Sequence, residues 1–337
     1  MKPEIKRFLE YLKLFPRDLG IISHANADPD ALASSVVTRS IIEKVTGYRP
    51  SIIFPGGISK VSRRVLSCAK VNIDFYEGIS GDVKALVIVD TATLSQFEPF
   101  HENVKEFKGK VFLIDHHLPN AELMRLCYGS IVREEVATSV IVYEISKEIG
   151  VELSTTELFL VLSGILFDTR RFMIASPTAL RVASEIVESG VSYAAVVDSL
   201  QQEMDISERI ARLKAVKRAK LYRFNDWIVA VTSVSSFEAS AARALMNLGA
   251  DVVFVASEKD NRVRISARCT RSFYEKTGIS VGYQVLRKVA EVLGGSGGGH
   301  HLAGGATVLV DSEVALEKCL EFLSDVVGLS LKHIRTD

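Results

Sequence analysis

No apolar run in the chain is long enough to cross a membrane: the longest, such as Leu158–Phe167, reach about ten residues, against the ~20 a span requires. Cysteine is scarce, with Cys68, Cys127, Cys269 and Cys319 far apart and no CxxC pair. That spacing argues against a zinc ribbon or a disulfide framework and fits buried thiols in a reducing compartment. Neither sign of charge is in excess, since 41 Lys and Arg balance 41 Asp and Glu. A protein that grips long nucleic acid by its phosphates carries a basic excess, so a short substrate is expected and long duplex nucleic acid is not. The N-terminal MKPEIKRFLEYLKLF is charged throughout and has neither the apolar segment nor the cleavage site of a signal peptide. A cytoplasmic protein with no membrane partner is expected, and a homodimer is left open.

What is present is a chain of 337 residues, enough for two ordinary domains with their own cores. Apolar strand-like runs alternate with amphipathic helical stretches in the first half. The spacing predicts strands at Leu19–His24, Ser51–Pro55, Ala85–Thr91, Val111–His116 and Ser130–Arg133, with helices at Asp30–Val45, Val136–Ile149 and Thr155–Phe167. Near-continuous β-branched runs such as ALVIVD and KVFLID suit strands buried on both faces of a parallel sheet. The fold class is therefore α/β, with an open parallel-sheet domain over 1–190. A charged helical linker is expected over 191–220, followed by a smaller α/β domain over 221–337. In that second domain strands are expected at Leu221–Phe224, Trp227–Val234, Asp251–Ser257, Arg262–Arg268 and Thr307–Val310, and helices at Phe237–Leu248, Ser280–Leu293 and Glu313–Val327.

Candidate chemistry gathers where those strands end. His24, Asp28 and Asp30 follow the strand GIIS in HANADPDALAS, where ligands collect in an open parallel sheet. One Asp would suffice to cap the following helix; two, preceded by a histidine, suggest a metal. Asp90 ends the next buried strand, and Asp115-His116-His117 end the one after. Asp168 follows the apolar helix ELFLVLSGILF, at an end whose dipole favours cations over carboxylates. Four carboxylates with two imidazoles in one cleft would repel unless cations neutralised them. Two divalent ions supply that charge, with Mn²⁺ preferred and Mg²⁺ or Co²⁺ also suited. A pair of such ions can activate water and clamp a phosphoryl oxygen.

A second group lies near the C-terminus. Gly297-Gly298-Gly299-His300-His301, within GGSGGGHHLAGGA, reads as a loop able to cradle an anion, or as a plain flexible connector. Arg264 and Arg268 alternate along RVRISAR, which puts both guanidiniums on one strand face.

In this order H-x-x-x-D-x-D, a strand-end Asp, D-H-H, a later Asp and a C-terminal GGGH resemble the DHH phosphoesterase superfamily with its DHH-associated C-terminal domain. The likeness spans nearly the whole chain and is strongest for the nanoRNase group of oligoribonucleases and 3′-phosphoadenosine-5′-phosphate phosphatases. It implies that His24, Asp28 and Asp90 hold one ion, and that Asp30, Asp90, His116 and Asp168 hold the other, with Asp90 as the bridge. His117 would face the substrate phosphate, with Asp115 behind it. Arg268 and Gly297–His301 would bind the far phosphate or base of a short oligonucleotide or nucleotide. A RecJ-like exonuclease, a linear dinucleotide phosphodiesterase, an inorganic pyrophosphatase and a catalytically silent nucleotide-binding regulator are the alternatives. The chain departs from the pattern at Thr169-Arg170-Arg171-Phe172, where a glycine is usual, and at the doubled His300-His301.

Overall fold

The apolar runs of the first half do form one sheet. In a computed structural model of the chain, the described residues are 1–118, 120–201, 204–260 and 262–334. They divide into two compact units, Met1–Gln202 and Glu203–Asp337.

In the first unit, β1 (Leu19–Ile22), β2 (Ser51–Ile53), β3 (Ala85–Val89), β4 (Lys110–Asp115) and β5 (Cys127–Val132) pair in parallel in the order β2-β1-β3-β4-β5. Every residue of β1 and β3 is buried, as expected of strands covered on both faces. After β1 the chain passes to β2 on one side and then returns to β3 on the other. The carboxyl ends of β1 and β3 therefore flank the crevice that such a reversal of direction opens.

The helices of this unit are α1 (Pro3–Leu14), α2 (Pro29–Thr46), α3 (Lys60–Ala69), α4 (His101–Lys105), α5 (Ala121–Leu126), α6 (Thr138–Ile149), α7 (Thr155–Asp168), α8 (Pro177–Glu188) and α9 (Tyr193–Ser199). Helix α2 is buried along most of its length and packs against α6 and α7. Its stretch Ala31–Ser35 is mostly small residues, which lets those helices come close. Helix α1 is charged along its length, yet Ile5, Phe8, Tyr11 and Leu12 recur at helical spacing and are fully buried.

The second unit is a seven-stranded mixed sheet, β10-β11-β9-β8-β7-β6-β12. Its strands are β6 (Lys220–Phe224), β7 (Trp227–Val234), β8 (Val252–Lys259), β9 (Arg262–Cys269), β10 (Ser296–Gly299), β11 (Ala303–Val308) and β12 (Lys332–Ile334). Among the described residues of this unit, only β7 and β8 run parallel. Helices α10 (Ile206–Arg218) and α11 (Glu238–Asn247) pack together and against β7, while α12 (Arg271–Thr277), α13 (Arg287–Val292) and α14 (Ser312–Val327) complete the unit. The segment 191–220, expected as one linker, resolves into α9 of the first unit and α10 of the second.

The glycine run differs from its reading as a loop. Gly297, Gly298 and Gly299 lie in β10 and pair antiparallel with Ala306, Gly305 and Gly304 of β11, so only 300–302 make the turn. The expected helix 280–293 opens with a π-helical turn, Val281–Leu286, before α13. Close packing explains both. A Cβ on Gly282 of that turn would lie 2.7 Å from the His300 carbonyl oxygen, and one on Gly304 would lie 2.8 Å from Gly282 Cα. Glycine lets this hairpin and turn meet backbone to backbone.

Candidate metal centre

Asp28 does two jobs at the end of β1. It is the N-cap of α2, and its Oδ1 accepts from the amides of Asp30 (2.9 Å) and Ala31 (3.1 Å). Its other oxygen, Oδ2, lies 3.8 Å from His24 Nε2. Capping and site geometry thus use different oxygens of one carboxylate, and both readings of this Asp hold. The His24 ring is aimed by its other nitrogen, Nδ1, which donates to the Ala25 carbonyl at 2.9 Å.

Asp90 follows β3 with a left-handed backbone, φ 53°, which aspartate adopts more readily than most residues and which recurs at functional sites. It is almost completely buried. Its Oδ2 lies 3.7 Å from His24 Nε2, while its Oδ1 lies 3.7 Å from His116 Nε2 and accepts from Thr138 Oγ1 at 3.0 Å. The two oxygens of one carboxylate therefore face two different imidazoles.

His116 is oriented the way a ligating histidine requires. Its Nδ1 donates to the Glu135 carbonyl at 3.0 Å, and its Nε2 is buried, without a hydrogen-bond partner, 3.4 Å from Asp168 Oδ2. Asp30, fully buried in the first turn of α2, accepts from the amides of Thr138 (2.7 Å) and Ser139 (2.9 Å). These amides open α6, whose N-cap, Ala137, has no side-chain acceptor, so Asp30 caps α6 from another helix. Asp115, also fully buried, accepts from the amides of His116 (2.8 Å) and His117 (3.2 Å) and from His117 Nδ1 (2.9 Å). His117 itself remains 44% exposed, held by Asp115 but open on one side.

Three groups of ligand atoms lie within 4.8 Å of one another: His24, Asp28 and Asp90; Asp30, His116 and Asp168; and Asp90, Asp115, His116 and His117. The electrostatics are those of a site short of cations. Burial and the carboxylates of Asp28 and Asp90 push the Asp168 carboxyl up to about 8. Burial, then the charges of Asp90 and Asp168, hold Asp30 well above the usual carboxylate range. Burial opposes a charged His24, but Asp28 and Asp90 outweigh it and raise its pKa to about 11. Protons take the positions that cations would fill. The orphaned His116 Nε2, the fixed imidazole rings and the oxygen-rich donor set all fit divalent metal.

Three contributors were not read from sequence. Thr138 and Ser139 look like ordinary helix-start residues, and Gly164 like a small residue within an apolar helix. A Cβ on Gly164 would lie 2.8 Å from Asp30 Oδ1.

Residues 18–165 match the DHH family, N-terminal domain, and residues 229–328 match the DHHA1 domain. An uncharacterized protein of Methanocaldococcus jannaschii is 33% identical over 331 residues, covering 96% of each chain. The chain belongs to the DHH family. The bifunctional oligoribonuclease and PAP phosphatase NrnA of Bacillus subtilis is 28% identical over 334 residues, covering 92% of this chain and 94% of that protein. An exopolyphosphatase-related protein from Bacteroides fragilis shares the fold, with a TM-score of 0.64 at 16% identity over 97% of both chains. Proteins of the DHH family are divalent-metal-dependent phosphoesterases.

The DHHA1 unit carries the second group of candidates. Arg264 is exposed, with its Nε 3.9 Å from Glu238 Oε1. It lines a depression of about 410 Å³ together with Ser266, Gly297, Gly298 and Gly305. Arg268 lies outside that depression, paired in register with Ala303 beside the 300–302 turn. Its Nε is buried without a partner, and burial followed by the charge of Arg243 lowers its pKa. His300 and His301 are both exposed, but the His301 ring stacks on Tyr274 with centroids 4.5 Å apart at 20°. Gly298 has nothing within 4 Å of a would-be Cβ, so no packing demand accounts for it.

Proposed function

We propose that this DHH protein is a two-metal phosphoesterase that hydrolyses short oligonucleotides, 3′-phosphoadenosine-5′-phosphate-like nucleotides, or both. One observation carries the reading: Asp90 directs Oδ2 towards His24 and Oδ1 towards His116, each at 3.7 Å. A carboxylate shared in this way suits two neighbouring ions, with His24, Asp28 and Asp90 for one and Asp30, Asp90, His116 and Asp168 for the other. Two bound divalent ions, preferentially Mn²⁺, would lower the pKa of water and polarise the phosphoryl group.

The protein's own residues do the rest. Thr138 Oγ1 and the amides of Thr138 and Ser139 fix Asp90 and Asp30, so the carboxylates need no rearrangement when cations arrive. His117, held by Asp115, is the half-exposed group suited to donate a hydrogen bond to the substrate phosphate. Arg268, His300, His301 and Gly297–Gly299 of the DHHA1 unit are assigned to the rest of the substrate. The likeness to NrnA across almost the full length of both chains supports a short nucleotide substrate, as does the zero net charge.

The test is a Mn²⁺-dependent hydrolysis panel of short and ~20-nucleotide RNA and DNA, 3′-phosphoadenosine-5′-phosphate, linear dinucleotides and pyrophosphate. Dimers and trimers, or the bisphosphate, are expected to show the highest kcat/KM. Faster cleavage of the long chains would replace this reading by a processive exonuclease, and pyrophosphate as the best substrate by a pyrophosphatase.

A further inference from the structure

Beyond the six candidate ligands, one segment of the first unit holds a strained backbone. Arg170, Arg171 and Phe172 all have left-handed backbones, with φ of 49°, 59° and 66°. Side chains other than glycine, asparagine and aspartate seldom adopt this conformation, and almost never three in succession. The turn begins two residues after Asp168 and is held firmly from beneath. Thr169 is fully buried; its hydroxyl donates to the Ile165 carbonyl at 2.6 Å and accepts from the Phe172 amide at 3.0 Å. The Arg171 amide donates to the Leu166 carbonyl at 2.8 Å, and the Ile174 amide donates to the Thr169 carbonyl at 3.0 Å. Phe172 packs on the core and stacks over Tyr193, with centroids 6.5 Å apart at 10°.

The two arginines gain nothing from this arrangement. Both are exposed, and among the described residues neither side chain has a hydrogen-bond or ion-pair partner. A strained conformation that its surroundings maintain, and that presents unpaired cations, points to a ligand. Arg170 Cα lies at most about 7 Å from Asp168 Cα, two peptide units along the chain, so its side chain is within reach of the metal centre.

We propose that Arg170 and Arg171 form a subsite for a second, non-reacting phosphate of the substrate. Guanidinium forks match phosphate oxygens in pairs. The inference rests on the phosphoesterase reading above and adds two residues, Arg170 and Arg171, to those that recognise its substrate.

Glycine adopts a left-handed backbone without penalty, so Arg170→Gly and Arg171→Gly keep the turn while removing the guanidiniums. The double variant is expected to melt at or above the wild-type temperature and to bind the same amount of Mn²⁺. Two ligand readouts accompany it. Wild type is expected to prefer a dinucleotide with a 5′-phosphate over the same dinucleotide without one, and the double variant to lose that preference by about tenfold or more in KM. A hydrolysis-resistant 5′-phosphorylated dinucleotide, with methylene in place of the scissile ester oxygen, should bind the variant more weakly by a similar factor in calorimetry.

Equal affinity of wild type and variant for that analogue would overturn the subsite. So would a wild type indifferent to the 5′-phosphate, or a variant that melts lower and loses metal. If wild type bound the analogue in a phosphate-dependent manner, and the variant did not, but no ester were cleaved, the subsite would stand and the phosphoesterase reading would fall.

Discussion

Gly164 of α7 faces Asp30 of α2 so closely that a Cβ at Gly164 would lie 2.8 Å from Asp30 Oδ1 and 3.0 Å from Asp30 Cα. The same Cβ would lie 2.8 Å from Ser139 Oγ; that hydroxyl can rotate away, but Asp30 could not yield without moving a carboxylate that two amides hold. Gly164→Ala is expected to destabilise the fold by about 1–3 kcal/mol, the usual cost of overpacking, and to weaken binding of one metal equivalent more than the other. Calorimetric Mn²⁺ titration of the variant checks this, and two unchanged binding steps would show that Asp30 is not a ligand.

Asp90→Asn should abolish hydrolysis with the fold intact. Asparagine tolerates the left-handed backbone at this position and can still accept from Thr138 Oγ1, so geometry survives while the shared negative charge is lost. Circular dichroism and melting would report the fold, and turnover at saturating Mn²⁺ the site. A variant retaining more than a few per cent of wild-type turnover would remove Asp90 from the bridging role.

Metal and protons should compete. His24, raised to about 11, and Asp168, raised to about 8, hold protons near neutrality that metal must displace. Mn²⁺ affinity is therefore expected to rise with pH, with protons released on binding; titration in buffers of different ionisation heats measures the number. No buffer dependence near pH 7 would contradict the site's electrostatics.

The metal-free fold should lose stability as pH rises. Asp168 has its pKa raised from 3.8 to about 8, so its contribution is fully present below 3.8 and lost as pH climbs to about 8. His24, raised from 6.5 to about 11, extends the decline over the next interval. Asp28 is lowered below 3.8, so above about pH 5 it is ionised in both folded and unfolded chains and adds no slope. Melting temperatures in chelator should fall from about pH 5 to 9, and saturating Mn²⁺ should remove most of the slope. A chelated protein that melts higher at pH 9 than at pH 5 would reverse the sign and refute the account.

Arg268→Ala and His300→Ala should weaken substrate use without altering metal content. Loss of a charge-assisted hydrogen bond to phosphate costs about 1.5–3 kcal/mol, or roughly ten- to a hundredfold in kcat/KM. His301→Ala is expected to act differently, by lowering the melting temperature, because its ring is stacked on Tyr274. Equal losses on a dinucleotide and on bis-p-nitrophenyl phosphate would assign Arg268 and His300 to the fold.

The sequence alone determined every strand except β10 and β12, the residues that follow the buried ones, and so most of the acidic cluster. Strand periodicity and burial are local, and an Asp or His placed after an apolar run reveals its position at a sheet edge. His24, Asp28, Asp30, Asp90, Asp115, His116 and His117 were legible for that reason, Asp168 because it closes an apolar helix, and the family from their order along the chain. Tertiary structure alone decided which oxygen of Asp90 faces which imidazole. It also decided that Asp30 caps a helix 108 residues away, and that Gly164 must lack a side chain. It turned a glycine run from a loop into a hairpin, because the pairing partner and the π-helical turn packed on it lie elsewhere in the chain. Those contacts join segments distant in sequence, and their geometry is fixed by packing, which no local pattern records.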